Sequence, residues 1–362
     1  MKKGINFIDC LDIDLALSIL MRLDNPADLV RASVVSQSWH HFVIANRLSK
    51  QLCLRMFPQI ADLDQIVGPN NGKTSVNVES SNPMEWEILE RDHKVYASLV
   101  RALTESKDNP KDCIACVIGA SSTDREPEES VVNTLFPIDR YMWGGSYWSS
   151  KGQSNPDAAE TLTYKLSADV CAVTEIDIRP FEVYWEPGSP VYSAKSVRFR
   201  MGHLKSPRKN EIDFWHFPLQ QPANDKFLWS YTSPEFPMTQ ENHLQQFKLP
   251  EPVLCIGGCL QIELLGRAQR EEIDGLFYIC VCYVRVLGRP LSPAFVLQKS
   301  GELQLKYNPE SFSFILKSSS HEEMGTVEPE EEAPWEHVCQ LENLLQIQNI
   351  PDHPFVWNDD ED

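Results

Sequence analysis

The sequence has no run of about 18 uninterrupted apolar residues, the minimum for a membrane helix, so no membrane partner is expected. Near the start, Asp9, Asp12 and Asp14 interrupt the apolar stretch that a secretory signal would need. Lys2 and Lys3 alone do not make a nuclear signal, so cytoplasm and nucleus both stay open as compartments. Basic charge is scarce: 33 Lys and Arg stand against 52 Asp and Glu, a net charge of −19. Such a chain repels nucleic acid unless a local basic patch outweighs it, so no nucleic-acid partner is expected. The ten cysteines form no disulfide framework, as in an intracellular protein with reduced thiols. Cys113-Ile-Ala-Cys116 has a zinc-like spacing, but no second pair matches it. There is no Gly-x-Ser-x-Gly, no phosphate loop and no His-Glu-x-x-His. No catalytic residue, metal or cofactor is expected, and the chain does not read as an enzyme.

What is present begins with a helical module over residues 8–58. Leu11, Leu15, Ile19 and Leu23 fall at four-residue steps, widened by Ala16 and Leu20. Asn25 is placed to cap a second helix, with Pro26 at its first position and Asp28 in its electropositive first turn. Ser36 is placed to cap a third, with Trp39, Phe42, Val43 and Leu48 as its apolar positions. So short a module exposes more apolar surface than it buries alone, and some must meet a partner or the rest of the chain. It is slightly basic, with seven Lys and Arg against five Asp in residues 1–60.

These residues resemble the F-box. Leu11-Asp-Ile-Asp-Leu15, Ile19-Leu20-Met-Arg-Leu23, Asp28-Leu29-Val30-Arg31, Val34-Val35-Ser36 and Trp39-His-His-Phe42 follow the family's elements in order. Asp12 stands where the family has Pro, and Ser36 where it has Cys. The resemblance implies docking of a Skp-type adaptor, and through it a cullin scaffold, by Leu11, Leu15, Ile19, Leu20, Leu23, Leu29, Val34 and Trp39.

After the module comes an Asn-, Ser- and Gly-rich stretch, read as a flexible linker over 59–83. An amphipathic helix is expected over 84–106, with Trp86, Leu89, His93, Tyr96, Leu99, Val100 and Leu103 on one stripe. His93 is more in keeping with a helix interface than with a ligand. Residues 110–290 alternate β-rich runs with Pro, Gly and Asn turns, the pattern of an antiparallel β-sandwich. Strands are expected at 161–166, 172–185, 195–203, 225–233, 243–249, 259–267 and 276–288, with turns at Gly144-Gly145 and Gly257-Gly258. Ala120-Ser-Ser-Thr, Tyr147-Trp148-Ser-Ser-Lys-Gly152 and the closing Cys259-Leu-Gln-Ile-Glu-Leu-Leu-Gly-Arg267 are similar to the discoidin, or galactose-binding-like, jelly roll. Residues 318–334 read as an acidic disordered segment, and 335–350 as a C-terminal helix. The whole looks like a group of plant F-box proteins.

The expected fold is thus multidomain: a three-helix F-box, linker and helix, then a jelly-roll sandwich. The expected role is a non-catalytic substrate adaptor of a Skp–cullin–F-box ubiquitin ligase, its sandwich binding a protein target. The alternatives are a lectin-like binder of carbohydrate or a small ligand, which would deliver glycosylated targets, and a scaffold outside any ligase. Arg140, Trp143, Tyr147, Trp148 and Lys151 form the candidate recognition rim: flat aromatic surface beside charge suits peptide or sugar capture. The competing reading is that these aromatics plug the end of the sandwich core.

Overall fold

A computed structural model describes residues 8–63, 83–106, 110–141, 144–205, 226–298 and 304–312. Four short helices open the chain: α1 (Ile13–Leu20), α2 (Pro26–Ser33), α3 (Gln37–Ala45) and α4 (Leu48–Met56). Their starts follow the capping residues. Asp12 Oδ1 accepts from the Ile13 N–H, Asn25 Oδ1 from Ala27, and Ser36 Oγ from Trp39. The fourth helix continues the module beyond the three expected. Arg55 in α4 donates to the carbonyls of Met21 and Leu23 and pairs with Asp24 at 3.2 Å, tying α4 to the end of α1.

Residues 59–63, expected as linker, continue a short 3-10 helix (Pro58–Leu63), and Ile60 is buried. Ile60 fills a gap beside Phe57, so the chain is held there by packing. The remainder of the expected linker up to residue 82 lies outside the described residues, as do the acidic segment and the C-terminal helix. The amphipathic helix is α5 (Pro83–Glu105).

Two antiparallel sheets form the sandwich. One pairs β1 (Lys111–Asp112), β13 (Cys280–Pro290), β7 (Val170–Pro180) and β11 (Gln245–Ile256) in that order, with β5 (Trp148–Ser149) also on β13. The other runs β10 (Phe236–Pro237), β8 (Ala194–Leu204), β12 (Cys259–Arg267), β6 (Glu160–Leu166) and β2 (Ile114–Ala120), with β9 (Phe227–Thr232) on β8. Inner-face residues such as Ile176, Ile178, Phe199, Ile262 and Val284 make one core. Two small hairpins complete the described strands: β3 (Arg140–Tyr141) with β4 (Gly144–Gly145), and β14 (Phe295–Gln298) with β15 (Gln304–Tyr307). The β11–β12 turn needs its glycines. Gly257 and Gly258 have φ of +90° and +63°, and a Cβ on Gly257 would stand 2.2 Å from His203 Cβ.

Arg267 frames one end of the sandwich. Its guanidinium is fully buried, pairs with Glu160, and donates to Ser150 Oγ at 2.8 Å and to the carbonyls of Phe277 and Lys151. Backbone that belongs to no long strand is thereby fixed at the loops.

The helical module and the sandwich share a second core. Cys53, Phe57 and Ile60 pack with Tyr96, Leu99, Val100 and Leu103 of α5, and these with Val170, Ala172, Leu254 and Ile256. Those strand residues lie on the outer face of the β13–β7–β11 sheet, so β7 is apolar on both faces at this end. The core also takes in Phe295, Leu305 and Phe312, beyond the 110–290 boundary read from the sequence. On the module side, His41 stacks on Trp86 with centroids 4.6 Å apart. Ser49 and the His93 ring are 2.9 Å apart.

His93 itself carries a pH signature. Burial, reinforced by the nearby charges of His40 and Lys94 and opposed by Glu90, pulls the His93 pKa from 6.5 down to about 4. The unfolded chain therefore takes up this proton before the folded chain does. Its contribution to stability is complete above about pH 6.5 and shrinks as pH falls toward about 4. Thermal melts across that window should show the native protein losing Tm more steeply than His93→Gln. Parallel slopes would contradict a neutral, buried His93.

Candidate functional site

Short amphipathic helices divide their apolar residues between their own core and whatever lies outside. In α1, Ala16 and Leu20 turn inward; Leu20 joins Leu29, Ala32, Val43, Leu48 and Leu52 in a small core. The neighbouring row stays in solvent: Ile13, Leu15 and Ile19 are 63%, 51% and 39% exposed. Val30 and Val34, one turn apart, and Val35 add to this surface from α2 and the turn after it. Six solvent-facing aliphatic side chains on so small a module are the mark of a surface built to be covered.

The residues expected to line an adaptor contact therefore divide. Leu15, Ile19 and Val34 are exposed; Leu11, Leu23 and Trp39 are half-buried. Leu20 and Leu29 are buried in the module's own core, where they support the surface from beneath. Ile13, Val30 and Val35 were missed. Being the apolar residues left over from the inward stripe is the signal that finds them. Asp12, standing in place of a Pro, starts α1: its side chain caps the helix and its carbonyl accepts from Ala16 at 3.0 Å.

The expected recognition rim comes apart. Trp148 is fully buried, its indole N–H donating to the Ser122 carbonyl at 3.0 Å. Tyr147 is buried too, stacked on Phe181 at 4.1 Å with its hydroxyl donating to Glu129 Oε1 at 2.7 Å. Burial, then the bond to Glu129, pushes the Tyr147 hydroxyl far above its ordinary value. Tyr147 and Trp148 are therefore packed inside the fold, Trp148 in the core between the sheets and Tyr147 in a separate cluster with Phe181, Val183 and Tyr192. Arg140 and Lys151 are exposed, and the Arg140 guanidinium lies 4.1 Å from the centre of the Tyr184 ring. Trp143 lies outside the described residues. The aromatic surface the sequence reading missed is Trp185, half-exposed beside Tyr184. Apart from Cys116, the cysteines of the sandwich are buried.

Core placement fixes an outcome for Trp148. Replacing it with Ala should cost about 3–5 kcal/mol in chemical denaturation. A loss under about 1 kcal/mol, the range of surface changes, would return it to the surface.

The helical module matches the model of the F-box-like family over residues 13–55. Among solved structures, similarity falls on the sandwich. A family 32 carbohydrate-binding module of a Clostridium perfringens family 31 glycoside hydrolase is 12% identical, covering 48% of this chain and 90% of the module, at a TM-score of 0.32. A fucolectin from striped bass (Morone saxatilis) serum is 14% identical over 53% of this chain and 49% of the lectin, at a TM-score of 0.30. Likeness at that level says nothing of what this chain binds. A relative along the full length is the F-box protein At4g00755 of Arabidopsis thaliana, 42% identical over 99% of this chain and 97% of its own. Similarity that close and that complete, with the helical module matched as well, makes this chain a member of the F-box protein family.

Proposed function

We propose that this chain is the substrate-recognition subunit of a Skp–cullin–F-box ubiquitin ligase. The F-box implies binding of a Skp-type adaptor, which would bring a cullin scaffold; the sandwich would hold the protein to be modified. The chain then contributes no chemistry of its own and acts by positioning.

The observation that carries this reading is the exposed aliphatic surface of α1, α2 and the turn after it. Covering such side chains is favourable by about 25 cal/mol per Å2 of apolar area removed from water. Helix-borne apolar anchors are how one protein seats on another without a reaction between them.

A geometric argument supports the division of labour. The second core grips β7 at Val170 and Ala172, whereas Phe181 leaves its other end among aromatic loops. Ten steps of strand at about 3.3 Å each span roughly 33 Å, from Val170 to Pro180. The loop end is thus the part of the sandwich farthest along β7 from the module, with room for a folded target.

The test is binding of the full chain to a purified Skp-type adaptor, compared with Leu15→Asp and Val34→Asp. Both residues are more than half exposed, so Tm should hold while affinity falls by at least about tenfold, as for a buried interface anchor. Unchanged affinity in both variants would remove this surface from the reading.

A further inference from the structure

The loop end of the sandwich carries an aromatic and acidic surface that the fold itself does not use up. Trp185 is 50% exposed. Its ring is held from below by Tyr147 and Phe181, with centroids 5.9 and 5.7 Å away, and by the edge of Tyr184 at 4.8 Å. A half-open indole fixed on three sides keeps its orientation when free, so little conformational freedom is lost on binding.

Carboxylates stand on the same loop end, bonded to tyrosines of its aromatic cluster. Glu186, the next residue, accepts from the Tyr192 hydroxyl at 2.6 Å, and Asp274 accepts from Tyr278 at 2.6 Å. Tyr192 and Tyr278 are in edge contact. Glu129, itself 9% exposed, receives the Tyr147 hydroxyl on one oxygen, while its other oxygen, Oε2, is buried with no partner among the described residues. Burial first, and then the charges of Asp274, Glu186 and Asp124, push the Glu271 carboxyl above its ordinary value, which places these acids within each other's field. The cations nearby are few. Arg125 is 3.8 Å from Asp124 and largely exposed, Arg140 lies over Tyr184, and Arg270 lies beside Gly275. Like charges held together on a rigid frame create a field that a cationic partner relieves.

We propose that the loop end around Trp185, with Glu186, Glu271 and Asp274, is the docking surface for a lysine- or arginine-rich segment of the target protein. A basic side chain over the open face of Trp185 gains a cation–π contact, and its neighbours in the segment meet the carboxylates. The proposal rests on the sandwich being the target-binding half, and its test leaves out the adaptor. Failure of adaptor docking would leave its result unchanged.

The probe is a fluorescein-labelled peptide of alternating lysine and glycine, titrated with the full chain in low and in physiological salt. Binding should weaken as salt rises. Trp185→Ala removes no charge, so affinity lost in that variant cannot come from the acidity of the chain as a whole. It should bind about tenfold more weakly, within the range of an aromatic anchor. Asp274→Asn, at an exposed position, should weaken binding and flatten the salt dependence; a melt of each variant checks folding. A peptide that does not bind, or that binds both variants as well as the native protein, overturns the proposal. So does a neutral galactose-containing oligosaccharide that binds the native chain but not Trp185→Ala, if the basic peptide fails to bind.

Discussion

Helix α5 lies between two structures that would otherwise be separate domains. Its stripe of Tyr96, Leu99, Val100 and Leu103 is buried against α4 and its following turn and against the outer face of β7 and β11. The positioning role proposed for this chain depends on that packing. It covers an apolar sheet face that water would otherwise meet, and it occupies one side of the F-box. The side left over, with Ile13, Leu15, Val34 and Val35, is the side available to a partner. Cores at close-packed density do not slide, so the adaptor surface and the loop end keep a fixed relation. For the adaptor role proposed above, this rigidity would be the functional property.

Two polar devices finish the frame. At one end of the sandwich the buried Arg267 fixes loop backbone through Glu160, Ser150 and the Phe277 carbonyl. Removing one partner of such a pair strands a buried charge, which costs about 3–5 kcal/mol. At the module end, Arg55 holds α4 to the end of α1, and His93 meets Ser49 as a neutral ring. The Trp185 loop is held by its own bonds, Val183 N–H to the Pro190 carbonyl and Tyr192 to Glu186, so it can present the indole at a constant angle, whereas a free loop would have to be ordered on binding.

Much of this was legible in the sequence wherever a local rule decided the outcome. Asn25, Pro26 and Ser36 cap their helices as their side chains dictate. Strands β6, β8, β12 and β13 follow alternating or continuous apolar runs. The misses came where tertiary packing decides. Phe181-Glu-Val-Tyr-Trp185 reads as more strand, yet the chain leaves the sheet after Pro180 and turns through Pro187-Gly188, where φ is +80°. Trp185 was therefore assigned to a strand when it stands at a turn. Tyr147 and Trp148 have the composition of a recognition surface, and only their packing, Tyr147 on Phe181 and Trp148 in the core between the sheets, shows that they are buried. Strand β2, Ile-Ala-Cys-Val-Ile-Gly-Ala, has no polar residue and so no alternation to find. Ile60 carried no local sign that it would pack under α5.

The central claim is that F-box and sandwich form one body joined through α5, and distance measurement tests it most directly. Spin labels would be placed at Val34→Cys and Ile273→Cys, both well exposed, with Cys10, Cys116 and Cys339 replaced by Ser. Double electron–electron resonance on the free chain should give a single narrow distance distribution. A broad distribution in the free chain would mean that the two halves move independently, and would contradict the account.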